Sequence, residues 1–240
     1  MTHLTGPERA QYVQGMFARI ASNYDLMNRL MTFGQDRLWR REVIRRAALP
    51  SEESLLLDLG AGTGDLGFEA LEQNPATRPI EADFTIEMLR VGQKRAKQSP
   101  PGKAPASWSV ADALTLPFPT GAFDAVVSGF LMRNVVDLPR ALQEQHRVLK
   151  PGGRIVILDT TRPRKNIFTP LVRLHMHTII PLLGRLLAKQ GDAYEYLPDS
   201  SENFLSAEAL ATHMAATGFR QVVFRRLNFG TIAIHWGEKA

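Results

Sequence analysis

The sequence predicts an α/β fold: a seven-stranded, mostly parallel sheet with helices on both faces and its last strand antiparallel. Three observations predict it. Short apolar runs alternate with amphipathic helical stretches between residues 54 and 159. The first run ends in a glycine cluster, Leu57-Asp-Leu-Gly-Ala-Gly-Thr-Gly-Asp65, which opens a helix. The chain closes on two strand-like runs joined only by Leu227-Asn-Phe-Gly230, a link too short for a parallel crossover.

Residues 8–48 read as helices. Tyr12, Val13, Met16, Phe17 and Ile20 recur at helical spacing, and Leu38, Trp39, Val43 and Ala47 form a second set. Asn23, Asn28 and Gly34 mark breaks between them. Ser54–Leu59 is the first strand, with a helix over 65–73. A second strand ends at Asp83, before a helix over 85–97. The third is 108–111, the fourth Phe123–Gly129, and a helix over 137–149 stops at Lys150-Pro-Gly-Gly153. The fifth strand is 154–159. Ser206 caps a helix ending near Gly218, and strands over 221–226 and 231–236 finish the chain. No repeat or linker divides this order. The reading is one domain over 1–240, with an N-terminal helical cap (1–50) and an insertion (162–203).

Composition narrows the function. A chain of 240 residues with 44% hydrophobic and 22% charged residues fills a globular core. The absence of cysteine removes disulfides, cysteine-based zinc sites and thiol nucleophiles. The net charge of +5 is unevenly placed. Residues 1–50 carry eight Arg against four acids, and residues 161–190 carry four Arg, two Lys and no acid. The rest sums to −5. Both basic segments interleave Arg with Leu, Met, Phe and Ile. They fit amphipathic helices facing an anionic surface better than a nucleic-acid arm, and no nucleic-acid partner is expected. The plainer account is that Arg lines the solvent face of two ordinary helices.

No apolar h-region opens the chain, so a secretory signal is not expected. The most apolar stretch, 167–187, is interrupted by Arg173, Arg185, two prolines and a glycine, short of the ~18–20 residues a membrane span needs. The expected location is cytoplasmic, with membrane association at the inner face. His175 and His177 form an H-x-H pair without a further ligand nearby, so no metal is expected.

The chemical centre is the glycine loop. From Gly62 the string GTGDLG formally matches a dinucleotide fingerprint, a weak signal alone. Two acids argue against a pyrophosphate ligand: Asp58, two residues before Gly60, and Asp65 in the loop itself. A cofactor with a cationic sulfonium and an ammonium, S-adenosylmethionine (SAM), suits acids instead. Asp83 ends the second strand, where such folds hold ribose hydroxyls, and Asp112 ends the third, where an adenine amino group can donate to it. Any one of these Asp residues is explained as a turn residue; an acid at each of three successive strand ends is not.

With these residues in place the chain resembles the class I SAM-dependent methyltransferases, and within them the ubiquinone/menaquinone biosynthesis C-methyltransferases (UbiE/MenG/COQ5). The resemblance runs along nearly the whole chain. It includes Tyr24-Asp-Leu-Met-Asn28, the glycine loop, Asp83-Phe84, Ala111-Asp112-Ala113, Arg133-Asn134-Val135 with Asp137, Lys150-Pro-Gly-Gly153 and Tyr194-Glu-Tyr-Leu-Pro-Asp-Ser200. It implies a Rossmann-like fold and SAM contacts at Thr63, Asp83, Asp112 and Ala113, with Gly129 near the methionine end; Asp58, Gly60, Gly62 and Gly64 of the loop complete the expected cofactor set. There are departures. The family commonly has Gly-Leu where Leu131-Met132 stand, Glu-Phe-Ser where Asp159-Thr160-Thr161 stand, and Pro where Leu205 stands.

The acceptor the resemblance implies is a ring carbon of a prenylated hydroquinone, such as demethylmenaquinol. That carbon is nucleophilic only when a hydroxyl pushes electron density into the ring, so the reduced quinol is the expected substrate. Arg133 would stabilise the developing quinolate or order a water that takes the proton; a guanidinium is no base at ordinary pH. Tyr24 and Tyr196 would orient hydroxyls, or simply pack their rings with the OH at the rim. Leu171, Leu174, Met176, Ile179, Ile180, Leu182, Leu183 and Leu186 would line a trough for the tail. Arg162, Arg164, Lys165, Arg173 and Arg185 would meet anionic headgroups. A homodimer interface accounts for the same composition. Two other readings stand beside this one: a methyltransferase acting on another amphiphilic phenol or small metabolite, and a non-catalytic SAM- or quinone-binding subunit.

Overall fold

A computed structural model describes residues 6–105, 107–162, 178, 196 and 200–240. Three helices open the described chain: α1 (Gly6–Ile20), α2 (Tyr24–Met31) and α3 (Asp36–Ala47). Alternation follows as β1 (Ser54–Leu59), α4 (Asp65–Gln73), β2 (Thr77–Asp83), α5 (Ile86–Lys97), β3 (Ser107–Val110), β4 (Phe123–Gly129), α6 (Leu138–Val148) and β5 (Leu149–Thr160). The chain ends with α7 (Ala207–Ala216), β6 (Phe219–Leu227) and β7 (Ile232–Lys239). Among the described residues these strands form one sheet in the order β3-β2-β1-β4-β5-β7-β6. β1 to β5 pair in parallel, and β7 runs antiparallel to both β5 and β6. The direction flips there because a three-residue turn, Asn228–Gly230, can only fold the chain back on itself.

Side chains alternate across the sheet, and each face has its own core. Leu57, Leu59, Val126, Ile155 and Ile157 face α6 and α7, against Leu142, Leu210 and Met214. Leu56, Ala125, Val127, Val156 and Leu158 face the other side, against Trp39, Val43 and Ile44 of α3 and Ala70 of α4. Trp39 is thereby a core residue. Ser206 caps α7 as its sequence suggests, accepting from the Ala209 N–H at 3.2 Å.

One expected break is absent. Asn28 lies inside α2. That helix buries Met27 against Met16 and Ile20 of the cap, and this packing outweighs the weak helix preference of one asparagine. The strand order reverses between β1 and β4, which opens a crevice at the carboxyl ends of β1, β2, β3 and β4. The insertion's proposed trough residues, its basic residues from Arg164 onward and the His175/His177 pair lie outside the described residues.

Candidate active site

The crevice takes its shape from the loop after β1. The chain turns through Gly60 and Gly62 at φ of +69° and +59°, where an L side chain is strained. Space forbids one too: a Cβ on Gly60 would sit 2.9 Å from Leu131, and one on Gly62 3.1 Å from Met88. The amides of Gly60 and Ala61 both donate to the Ala82 carbonyl, at 2.7 and 3.0 Å. The Gly62 amide donates to Asp83 Oδ2 at 2.8 Å. Three consecutive loop N–H groups are therefore consumed by the end of β2, so none of them is left to cradle a phosphate.

A cavity of about 390 Å³ opens over this loop. Gly60, Gly62, Asp83, Asp112, Ala113 and Gly129 line it, six of the residues expected to hold the cofactor. Asp83 keeps its carboxylate fixed by also accepting from the Thr85 amide at 2.7 Å; burial raises its pKa. Asp112 accepts from the Leu114 amide at 2.9 Å. Helix α1 roofs the cavity with Ala10, Gln14 and Phe17, and Gln14 Nε2 reaches the Phe84 carbonyl at 3.1 Å.

Asp58 and Thr63 lie instead around a small adjoining space of about 30 Å³, together with Tyr24 and Arg40. Thr63 donates its hydroxyl to Asp25 of α2 at 2.7 Å, which ties the glycine loop to the cap. Asp58 is buried, and its side-chain partner is another acid. Its register partner on β2 is Glu81, also buried. Burial pushes Asp58 up to about 7, and burial together with the charge of Asp58 pushes Glu81 well above its usual range; Arg40 and Arg95 offset this only in part. A buried acid pair that holds a proton gains from a nearby cation, which suits the ammonium end of SAM. Asp65 behaves differently from the reading of its sequence position. Burial would raise it, but Arg40 and Arg95 hold it low, and both arginines contact it. Its charge is spent inside the protein and is not offered to a ligand. Gly64 lines neither space. It is backed by the Trp108 ring, where a Cβ would come within 2.7 Å, and its share is the turn into α4.

A second cavity, of about 550 Å³, adjoins the first at Val135 and Val136. The three proposed catalytic residues divide between the two: Tyr24 lines the first, Arg133 and Tyr196 the second. Asn134 spans the wall, for it lines the first cavity and accepts from the Tyr196 hydroxyl at 3.3 Å. Burial raises the Tyr24 hydroxyl.

Arg133 is 7% exposed. Its Nη1 meets Asp159 Oδ1 at 2.7 Å, its backbone N–H donates to Asp159 Oδ2 at 3.1 Å, and its carbonyl accepts from Arg9 at 2.8 Å. Among the described residues its buried Nε–H meets no acceptor. Sequence reasoning picked out Arg133 but missed Asp159 as its holder, since only the fold brings residues 26 apart onto neighbouring strand ends. It also missed Phe130. That residue lines the first cavity at φ +61°, a strained conformation for a side chain of its size.

The comparisons with known proteins bear on this site. The ubiE/COQ5 methyltransferase family model matches residues 6–239. This chain belongs to the ubiE/COQ5 methyltransferase family. It is 45% identical to the ubiquinone/menaquinone biosynthesis C-methyltransferase UbiE of Desulfotalea psychrophila, over 95% of this chain and 90% of that protein. It is 43% identical to the demethylmenaquinone methyltransferase of Thermus thermophilus, over 93% of this chain and all of the relative. Among solved structures it resembles the [4+2]-cyclase SpnF, with a TM-score of 0.70 and 16% identity over 98% of this chain and 97% of that one. It also resembles the SAM complex of Haemonchus contortus phosphoethanolamine N-methyltransferase 2, with a TM-score of 0.64 and 14% identity over 84% of this chain and 52% of that one. These two share the fold, and one of them is named a cyclase, so architecture alone does not choose the chemistry. The departures from the family pattern gather at the site. Leu131 lies against Gly60, Asp159 holds Arg133, and Thr161 donates to the Leu205 carbonyl at 3.3 Å.

Proposed function

We propose that this protein is a SAM-dependent C-methyltransferase of quinone biosynthesis, acting on a prenylated hydroquinone, demethylmenaquinol foremost. Family membership and the relatives' names support the reaction class. The single observation in the fold that carries the reading is the pair of adjoining cavities, one built of strand-end acids and the other holding a buried arginine. In this reading Asp83 takes ribose hydroxyls, Asp112 and Ala113 flank the adenine, and Asp58 faces the ammonium. Bound there, SAM supplies an electrophilic methyl group.

The chain's own residues divide the remaining work. Tyr24, Asn134 and Tyr196 orient the ring hydroxyls at the wall between the cavities. The Arg133 guanidinium, which lines the second cavity, is the donor to a quinolate oxygen in this reading. Asp159 fixes that guanidinium from behind. Helix α1 roofs the crevice and excludes water. The acceptor's tail would run along the expected trough, which lies outside the described residues.

Incubation with radiolabelled SAM and a panel of reduced and oxidised quinones tests the reading. Label in the ring of reduced prenylated quinols is expected. Transfer only to other phenols would move the substrate class, an outcome to which the departures at Leu131, Asp159 and Leu205 give substance. Tight SAM binding with no transfer to any acceptor would leave a binding subunit.

A further inference from the structure

The helical cap carries a surface that neither cavity uses. On α2, Leu26, Arg29 and Leu30 continue to Phe33 at i, i+3, i+4 and i+7, one stripe of the helix and its following turn. All four are exposed, Leu26 by 57% and Phe33 by 77%. On α3, Leu38 is 64% exposed, and Arg37, Arg41 and Arg45 are exposed beside it. The acids of the same stretch are turned inward. Asp36 is buried on Arg40, Asp25 takes the Thr63 hydroxyl, and Glu42 is engaged by Arg45 and Arg46. Arg41 is paired with Glu69 at 3.6 Å and Arg45 with Glu42 at 3.4 Å, so the corner is apolar at its tip and draws its positive rim from the exposed Arg29 and Arg37.

We propose that this α2–α3 corner docks the protein on an anionic lipid surface. Apolar side chains that enter the headgroup layer, with arginines among the phosphates, are the composition of an interfacial contact. Two other occupants fit less well. A two-fold dimer through this patch would set the same arginines against themselves with no exposed acid from 24–48 to answer them. A nucleic acid would answer the arginines and leave Leu26, Leu30 and Leu38 in water. The opposite stripe of α2 holds Tyr24, which lines the cofactor cavity, so docking would put the lipid one helix away from the site. The inference rests on the proposed quinol reading only for its purpose, which is access to a substrate whose tail lives in a bilayer.

Flotation of the full chain with phosphatidylcholine vesicles, with and without about one-third phosphatidylglycerol, tests it. Flotation is expected with the anionic vesicles alone. Arg29→Gln with Arg37→Gln should weaken the partition about thirtyfold, from ~1 kcal/mol per basic residue. Leu30→Ser with Leu38→Ser should weaken it as well. Both double variants should keep the wild-type circular dichroism and the wild-type turnover of a tail-less quinol without vesicles. Three results would overturn the proposal: no flotation of the wild type at low salt, flotation that both variants leave unchanged, or a lipid-free dimer in sedimentation velocity that Leu30→Ser with Leu38→Ser dissociates. Duplex DNA binding lost in the Arg variant but kept in the Leu variant would also overturn it. Failure of the wild type to methylate the tail-less quinol counts against the reaction and leaves the flotation result standing.

Discussion

At the scale of single residues, the site rests on two buried charges with opposite fates. Arg133 is answered by Asp159, and both are nearly out of water. Asp159→Asn should cost about 3–5 kcal/mol of stability in urea unfolding, the penalty of leaving a buried charge unpaired. Asp159→Glu, which keeps the carboxylate, should recover most of it; equal loss in both variants would mean the pairing is not what holds Arg133. Asp58 has no such answer. It shares burial with Glu81, which pushes it up to about 7, so below that pH the pair holds a proton. A bound cation favours the ionised acid, so SAM should bind with proton release and bind more tightly as pH rises through about 7. Calorimetry in buffers of different ionisation enthalpy reads the proton directly. A flat affinity from about pH 6 to 8 with no released proton would remove Asp58 from the cofactor site.

At the scale of elements, the cofactor loop is held from three sides. β2 takes its amides, α2 takes the Thr63 hydroxyl through Asp25, and α5 supports it from below. The last contact is tight: a Cβ at Gly92 of α5 would lie 2.4 Å from the Trp108 ring and 2.8 Å from the Thr63 carbonyl. Gly92→Ala should therefore destabilise by about 1–3 kcal/mol despite the better helix propensity of alanine. Because the clash falls partly on the loop backbone, it should also weaken SAM binding. A melting curve and a binding isotherm on the same variant check both. A stabilised Gly92→Ala would mean that Trp108 swings aside freely. Helix α1 is the other functional element. Its period of apolar residues announced a helix, but nothing in that period said that Ala10, Gln14 and Phe17 would roof a cavity. Whatever lies above the crevice is decided by where the cap packs.

At the scale of the entire protein, the buried acid pair should be visible in stability against pH. The folded value of Asp58 is raised from 3.8 to about 7, so the folded chain keeps a proton that the unfolded chain releases. That contribution is complete below the unfolded value and is lost as pH rises through about 7. Asp65 and Glu144 are held low by arginines and act in the opposite sense, their contributions failing only as pH falls into the acid range. Between about pH 5 and 8 the wild type should therefore lose stability relative to Asp58→Asn, which has no proton to give up there. Parallel melting-temperature profiles for the two proteins would refute this.

Much of this molecule was legible in one dimension. Alternating apolar runs, the glycine loop and the short Leu227–Gly230 link determine the sheet, its parallel sense and its reversed last strand, because period, turn chemistry and link length are local properties. The spacing of Asp58, Asp83 and Asp112 put an acid at the end of each of three neighbouring strands for the same reason, since strand ends are local too. Pairings between distant residues are not local, and only the tertiary structure decided them. It spent the charge of Asp65 on Arg40 and Arg95, and set the buried acids Asp58 and Glu81 side by side on neighbouring strands. It set Asp159 behind Arg133 and divided Arg133 and Tyr24 between two cavities. A sequence states which charges a chain carries; which of them remain available to a ligand depends on which neighbours the fold brings within a few ångströms.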